Sequence, residues 1–309
     1  MRRLLPALVL FLFTGAASAQ VPADLAAEYL ETTQLPAQTQ QVGSQLTQQI
    51  QGQVAQFPEP AREPFRTIYG DALTGESLNA RLQAYIADEA EADSVRAVLD
   101  WFEQPLVARM QDLEMMATED DQAQVALQMY AMTGSFADYT PSEEREGQID
   151  RYLAATESAE NAVNLYLDII VASAESSASI LESDDAPSPD TIRARMRPQL
   201  EGAIGGMVRG GSLYTFREVT DADFEAYIEQ LESPAAQYGM ALNADAMRAA
   251  LVGAITDAGT EFAQTLRDLD AAGEIDLDAM RAEAEAAAEQ QRQQQMQQSQ
   301  GMEEMDDGR

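Results

Sequence analysis

The chain of 309 residues contains no histidine, no cysteine and no lysine, while aspartate and glutamate together number 53. Histidine is the one side chain whose ordinary pKa lies between about pH 5 and 8. Cysteine and lysine supply the readily activated thiolate and amine nucleophiles. Their absence excludes Ser-His-Asp and Cys-His catalysis, Schiff-base chemistry and zinc sites of the usual nitrogen–sulfur type. The lack of cysteine also excludes disulfides, so the chain must hold itself together by burial. Aromatic residues make up 6 %, with a single Trp, which is thin for a carbohydrate-binding enzyme. The composition argues against most enzymes more strongly than it argues for any one activity.

The N-terminus reads as a secretory signal. Arg2 and Arg3 form a cationic start, Leu4 to Phe13 an apolar stretch, and Ala17-Ser18-Ala19 a small-x-small cleavage site. A signal at 1–19 predicts a mature chain beginning at Gln20 in the periplasm or outside the cell. The apolar stretch is shorter than the roughly 20 residues a membrane span needs. No later run is longer, so no transmembrane segment is expected in the mature chain. No cysteine follows the apolar stretch, which excludes a lipid anchor.

After cleavage 17 arginines would face 53 acids, a net charge of −36. A polyanion of that size repels nucleic acid and anionic lipid. The same excess predicts a halophilic chain, because salt shortens the Debye length from about 10 Å at 0.1 M to about 3 Å at 1 M and screens self-repulsion.

Apolar residues recur every third or fourth position almost throughout. One series runs Val95, Val98/Leu99, Phe102, Leu106, Met110, Leu113, and another runs Ile149, Tyr152, Thr156, Ala159, Val163, Tyr166, Ile170, Ala174. This period is helical, and no alternating strand pattern competes with it. The spacing predicts an all-α fold. Thr220-Asp221-Ala222-Asp223 resembles a capping box, and Asp93 or Ser94 is the expected cap ahead of Val95. Turns are expected at 70–75, 133–142 and 184–190. The stretch 290–309 is Gln-rich, then acidic, without an apolar face. Met115, Met116, Met129 and Met132 are expected to fill core space, a role that unbranched thioethers suit.

Tyr85–Pro105 lies on Tyr214–Pro234 without gaps: Tyr85/Tyr214, Glu89/Glu218, Ala97/Ala226, Glu103/Glu232 and Pro105/Pro234 are identical. A second match, Tyr29-Leu30 with Thr33 against Tyr152-Leu153 with Thr156, precedes it in the same order. The expected organisation is two tandem helical-bundle repeats at 20–134 and 135–272, with an Ala/Glu/Gln-rich helix and acidic tail at 273–309. Pro105 and Pro234 each fall within a helical pattern, where proline removes a donor and kinks or ends the helix. A groove beside the kink, formed by Trp101, Phe102 and Pro105 with Leu231 and Pro234 as counterparts, is the expected ligand site.

Trp101-Phe102-Glu103-Gln104-Pro105 and Leu231-Glu232-Ser233-Pro234 resemble the aromatic-aromatic-x-Ser/Thr-Pro signature of small exported helical proteins catalogued as domain of unknown function 2059. The second copy lacks the second aromatic, Gln104 replaces Ser/Thr in the first, and Val107 and Ala236 stand where the family has Gly. The resemblance covers about 40 residues in each copy. It implies an exported all-α domain and brings no catalytic residue with it.

Two further patterns bear on chemistry. Asp268-Leu269-Asp270-Ala271-Ala272-Gly273-Glu274-Ile275-Asp276 follows an EF-hand loop at positions 1, 3, 6 and 9. Ala272 and Ala279 stand where two further ligands belong, so the competing reading is a helix end at Gly273 and a cap at Asp276. Glu103 and Glu232 are the candidate pair for two-carboxylate hydrolysis. The glycines at 202, 205–206 and 210–211 lack the Lys of a phosphate loop and suit close helix packing or a break before Tyr214. The sequence therefore points to a non-enzymatic, exported helical protein, without a required cofactor, that binds a protein, peptide or apolar ligand. Its alternatives are a calcium-stabilised module using Asp268, Asp270 and Asp276, and a carboxylate-dependent hydrolase.

Overall fold

A computed structural model describes residues 20–119, 121–181, 187–283 and 286. The expected leader at 1–19, the tail at 290–309 and the first three residues of the expected loop at 184–190 lie outside them. Among the described residues every regular element is helical and none is a strand. In chain order the helices are α1 (Ala23–Thr33), α2 (Leu35–Gln53), α3 (Glu59–Ala72), α4 (Gly75–Glu89), α5 (Ala92–Phe102), α6 (Pro105–Glu119), α7 (Asp121–Thr133), α8 (Glu143–Thr156), α9 (Ser158–Leu181), α10 (Pro189–Thr215), α11 (Asp221–Leu231) and α12 (Pro234–Ala271). No described helix is long and apolar enough to cross a membrane.

Capping side chains set many of the starts. Thr74, Ser142, Ser188, Thr220 and Ser233 each accept a hydrogen bond from the backbone N–H three residues on. That bond satisfies one of the donors a helix start leaves free. The start of α5 departs from expectation: Glu91 is its N-cap and makes no side-chain cap bond. The two prolines open helices instead of bending them. Both α5 and α11 stop two residues short of the proline, and Pro105 and Pro234 are the first residues of α6 and α12. The carbonyls of Trp101 and Gln230, which a kink would expose, accept the N–H groups of Gln104 and Ser233 at 3.2 Å. Leu99 and Ile228 accept from Glu103 and Glu232 in the same way, at 3.1 and 3.3 Å. The two breaks thus share one hydrogen-bond pattern, 129 positions apart.

α12 is the long axis of the fold, with 38 residues. α2, α3, α4, α5, α8, α9 and α11 all pack on it. Ala246, Ala250, Ala254 and Ala258, four apart and at most 2 % exposed, form one ridge, and methyl-sized side chains let neighbouring helices approach closely. The main core joins α1, α2, α4 and α5 to α9 and the first half of α12. Phe57, Phe65, Tyr69 and Phe262 form an aromatic cluster toward its far end. A second core, under Phe216 and Phe224, joins α6, α8 and α11.

Close packing has a measurable consequence at Gly259. A Cβ there would stand 2.4 Å from Cβ of Ser176 on α9. Gly259→Ala is expected to destabilise by about 1–3 kcal/mol despite alanine's better helix propensity, since overpacking outweighs the gain. A urea midpoint equal to or above that of the wild type would contradict this packing.

Two expectations on packing are corrected. The methionines do not fill the core: Met116 is 67 % and Met132 80 % exposed, with Met115, Met129 and Met207 also at the surface. Met116, Met129, Met132 and Met207 lie on outward faces of α6, α7 and α10, and Met115 stands at the edge of a cavity described below. The glycines of α10 break nothing, and only Gly210 makes a close approach, to the Tyr130 ring.

Candidate functional site

Four helix junctions converge on one cavity. Two are the proline breaks α5–α6 and α11–α12. The other two, α1–α2 and α8–α9, turn through a single residue in the left-handed region: Gln34 (φ 54°) and Glu157 (φ 49°). They are the two non-glycine residues with positive φ among those described. A residue with a Cβ adopts that conformation at some cost, and packing on both sides must hold it. Before each turn a threonine hydroxyl bonds back to a tyrosine carbonyl at 2.9 Å, Thr33 to Tyr29 and Thr156 to Tyr152. A glutamine amide then takes a carbonyl next to each threonine: Gln111 bonds Thr32 at 2.7 Å and Gln237 bonds Ala155 at 2.9 Å.

The tyrosines themselves reach across. Tyr29 on α1 donates to Oδ1 of Asn243 on α12 at 2.9 Å and to the Gly239 carbonyl at 3.2 Å. Tyr152 on α8 donates to Oε1 of Glu114 on α6 at 3.0 Å. Asn243 follows Glu114 by 129 positions, the spacing of the two prolines. The same tyrosine contact is therefore made twice, once to an amide and once to a carboxyl.

Between these contacts lies a cavity of about 440 Å³. Trp101, Phe102, Tyr227 and Leu231 supply its apolar lining from the ends of α5 and α11. Glu114 and Gln111 on α6 face it together with Met240 and Asn243 on α12. Ala37, Gln38 and Gln41 on α2, all exposed, stand at its mouth. Trp101 is 6 % exposed, and its indole Nε1 is buried with no hydrogen-bond partner among the described residues. Buried N–H groups are nearly always paired, so an orphan on a cavity wall calls for an explanation.

Among the described residues Glu114 is the one acid or arginine lining the cavity. Burial pushes its carboxyl up from 4.5 to about 7, against the smaller opposing pull of the Tyr152 hydrogen bond. Burial first, and the Glu114 charge second, hold the Tyr152 and Tyr227 hydroxyls well above their usual 10. Both phenols stay protonated and available as donors.

Of the residues singled out from sequence, Trp101, Phe102 and Leu231 line this cavity, while Pro105 and Pro234 do not. The prolines are exposed and act at a distance, by ending α5 and α11 where these side chains must turn inward. Glu103 and Glu232 are exposed helix caps outside the cavity.

The loop's own hydrogen bonds favour a helix end over the calcium reading of Asp268, Asp270 and Asp276. Glu274 N–H reaches the Leu269 carbonyl at 2.9 Å and Gly273 N–H the Asp270 carbonyl at 2.8 Å, with Gly273 at φ 72°. This is a Schellman helix end. Asp270 accepts from Leu277 N–H at 3.0 Å, Asp276 caps the next helix through Ala279 N–H at 2.9 Å, and Asp268 accepts from Gln264 at 2.9 Å. Each carboxylate serves a different backbone or side-chain donor. No group of three metal-ligating side chains converges anywhere among the described residues.

Sequence reasoning missed Glu114, Tyr152, Tyr227 and Asn243 as cavity residues. A signal for two of them was available. Carrying the 129-residue spacing past the prolines pairs Gln111 with Met240 and Glu114 with Asn243, and all four line the cavity. No family model matches the chain, and neither a curated protein nor a solved structure matches it.

Proposed function

We propose that this is a non-enzymatic, exported helical binding protein, built of two related units, that holds a small molecule or a peptide side chain in the cavity between them. The observation that carries the reading is the cavity itself. Its volume falls in the range of ligand sites, and an aromatic floor with a few convergent polar groups is the composition such sites share. The unpaired Trp101 N–H offers a donor that a ligand acceptor would satisfy.

The two-unit reading is supported by the paired features: the breaks at Pro105 and Pro234, the left-handed turns at Gln34 and Glu157, and the crossing Tyr29 and Tyr152 contacts. The likeness to domain of unknown function 2059 rests on the two proline windows alone. Two-carboxylate hydrolysis finds less support, since Glu114 is the lone acid on the cavity wall. Export rests on the three-part pattern of residues 1–19.

Trp101 is the only Trp, so its fluorescence reports directly on the cavity. Titration with a library of small polar-aromatic compounds is expected to find ligands that quench or shift its emission and raise the melting temperature, as mass action requires. Trp101→Phe should lose the optical signal and keep the melting shift. A library without a single responder would count against the reading.

A further inference from the structure

We propose that the cavity selects a small organic ammonium ion and that Glu114 is its counter-ion. The inference deepens the reading of the cavity as a ligand site and rests on it.

Charge carries the first step. Among the described residues Glu114 is the only carboxylate on the wall, and no arginine stands with it. Its hydrogen-bond partner is the neutral Tyr152 hydroxyl, and no ion pair to it exists among the described residues. The buried Arg145 is treated differently, with Asp221 at 2.6 Å. A carboxylate withdrawn from bulk water without a cation is unfavourable, and a bound cation removes the imbalance. An anionic ligand would worsen it.

The molecule also contains its own control. Asn243 receives the Tyr29 hydroxyl as Glu114 receives that of Tyr152. An amide therefore makes this contact within the same fold, and the architecture does not require a charge there. The charge at Glu114 is left over for something outside the chain.

Ring faces supply the third step. Trp101, Phe102, Tyr152 and Tyr227 all line the same space. Aromatic faces attract alkylammonium groups, most strongly where water is displaced, and tyrosine and tryptophan do so best. A chain of net charge −34 raises the local concentration of cations at its surface before any is bound.

The test is a charge series on one scaffold, followed by Trp101 fluorescence and calorimetry on the full chain. The probes are 2-phenylethylamine, its uncharged counterpart 2-phenylethanol and the anion phenylacetate, with tetramethylammonium as a smaller cation. An ammonium is expected to bind about tenfold or more tighter than the alcohol, the worth of a charge-assisted hydrogen bond with ring contacts. Phenylacetate should not bind. Glu114→Gln should weaken ammonium binding about tenfold and leave the alcohol within about twofold. The Asn243 contact predicts that this variant folds, and the charge series on the wild type decides the matter even if it does not. Equal or tighter binding of the alcohol or the acid, or an unchanged ammonium affinity in Glu114→Gln, overturns the ammonium assignment and leaves the cavity reading standing. Silence of both ammonium probes overturns it too. If the neutral and anionic probes and the wider library are also silent, the cavity reading falls with it.

Discussion

Replacing Arg145 by methionine is expected to cost the folded state about 2–4 kcal/mol, because buried carbonyls are left short of donors. The guanidinium is only 5 % exposed. It donates to the Phe216 carbonyl at 3.2 Å, to the Val219 carbonyl at 2.5 Å and to Asp221 Oδ1 at 2.6 and 3.0 Å. Its flat face lies over the Phe224 ring, 4.8 Å from the centroid. One side chain at the start of α8 thus satisfies the whole bend between α10 and α11. Methionine keeps most of the volume and none of the donors, so the Val219 carbonyl and the Asp221 carboxylate lose the guanidinium, and the Phe216 carbonyl keeps only the Val219 N–H, at 3.0 Å. Arg145→Lys retains the charge without the planar fork and should fall between the two. Urea denaturation of the three proteins checks the order. A loss below about 1 kcal/mol for Arg145→Met would place the pair with ordinary surface ion pairs instead.

The second large effect depends on pH. Burial holds the Glu114 carboxyl near 7, while in the unfolded chain it returns to about 4.5. The sign follows from proton counting. Between these values the native state keeps a proton that the unfolded state has released, so raising the pH favours unfolding. The stability associated with Glu114 is complete below about pH 4.5 and is lost as the pH rises through about 7. A shift of this size corresponds to at most about 3 kcal/mol, and water entering the open mouth reduces it. The groups facing Glu114 are the Tyr152 hydroxyl from α8, Tyr227 from α11 and neutral Asn243 from α12. None of them titrates in that window. Glu114→Gln removes the proton equilibrium altogether. Urea midpoints of wild type and Glu114→Gln should converge near pH 5, and the variant should be the more stable at pH 8. Their difference cancels the other carboxylates, which titrate in both proteins. A difference that stays flat from pH 5 to 8 would show that the carboxyl is not held up.

These two residues also mark what was legible in the sequence. The helical class was written in the spacing of apolar residues, because every helix buries one stripe and the stripe repeats every third or fourth place. The same regularity hid the breaks. The series through Ile149 and Ala174 crosses Glu157 without losing phase, although the chain turns there and α8 and α9 bury their stripes in different cores. At Pro105 and Pro234 the break was readable, because the ring cannot occupy a helix interior. At Gln34 and Glu157 no glycine gives the turn away. Trp101, Phe102 and Leu231 could be chosen from sequence as residues placed just before a forced break. Glu114 could not, because its importance arises from Tyr152, 38 positions away, and from a cavity that no local pattern encodes. Arg145 looked like one of several charges near an acidic helix start. Only the bend it fills makes it buried.

The salt response expected from composition acquires a physical location as well. Arg81–Asp257, Arg109–Asp223, Arg193–Asp168 and Arg248–Asp168 tie separate helices together and are partly exposed. Added salt weakens such pairs while it screens the far larger repulsion among unpaired acids. With so few cations in the chain, the second effect is expected to be the stronger, and a melting temperature that does not rise with added salt would contradict it.

The position of α12 along the chain has a consequence for biogenesis. A helix of 38 residues rises about 57 Å, and it is the strut against which α2, α3, α4 and α5 complete their burial. Those four segments leave the ribosome more than a hundred residues before it does. Until α12 emerges, their apolar stripes can close only on one another and on α1, and the contacts they await span most of the chain. Such long-range closure is slow, so the nascent polypeptide remains pliable, and open to capture by chaperones, for nearly the whole of its synthesis.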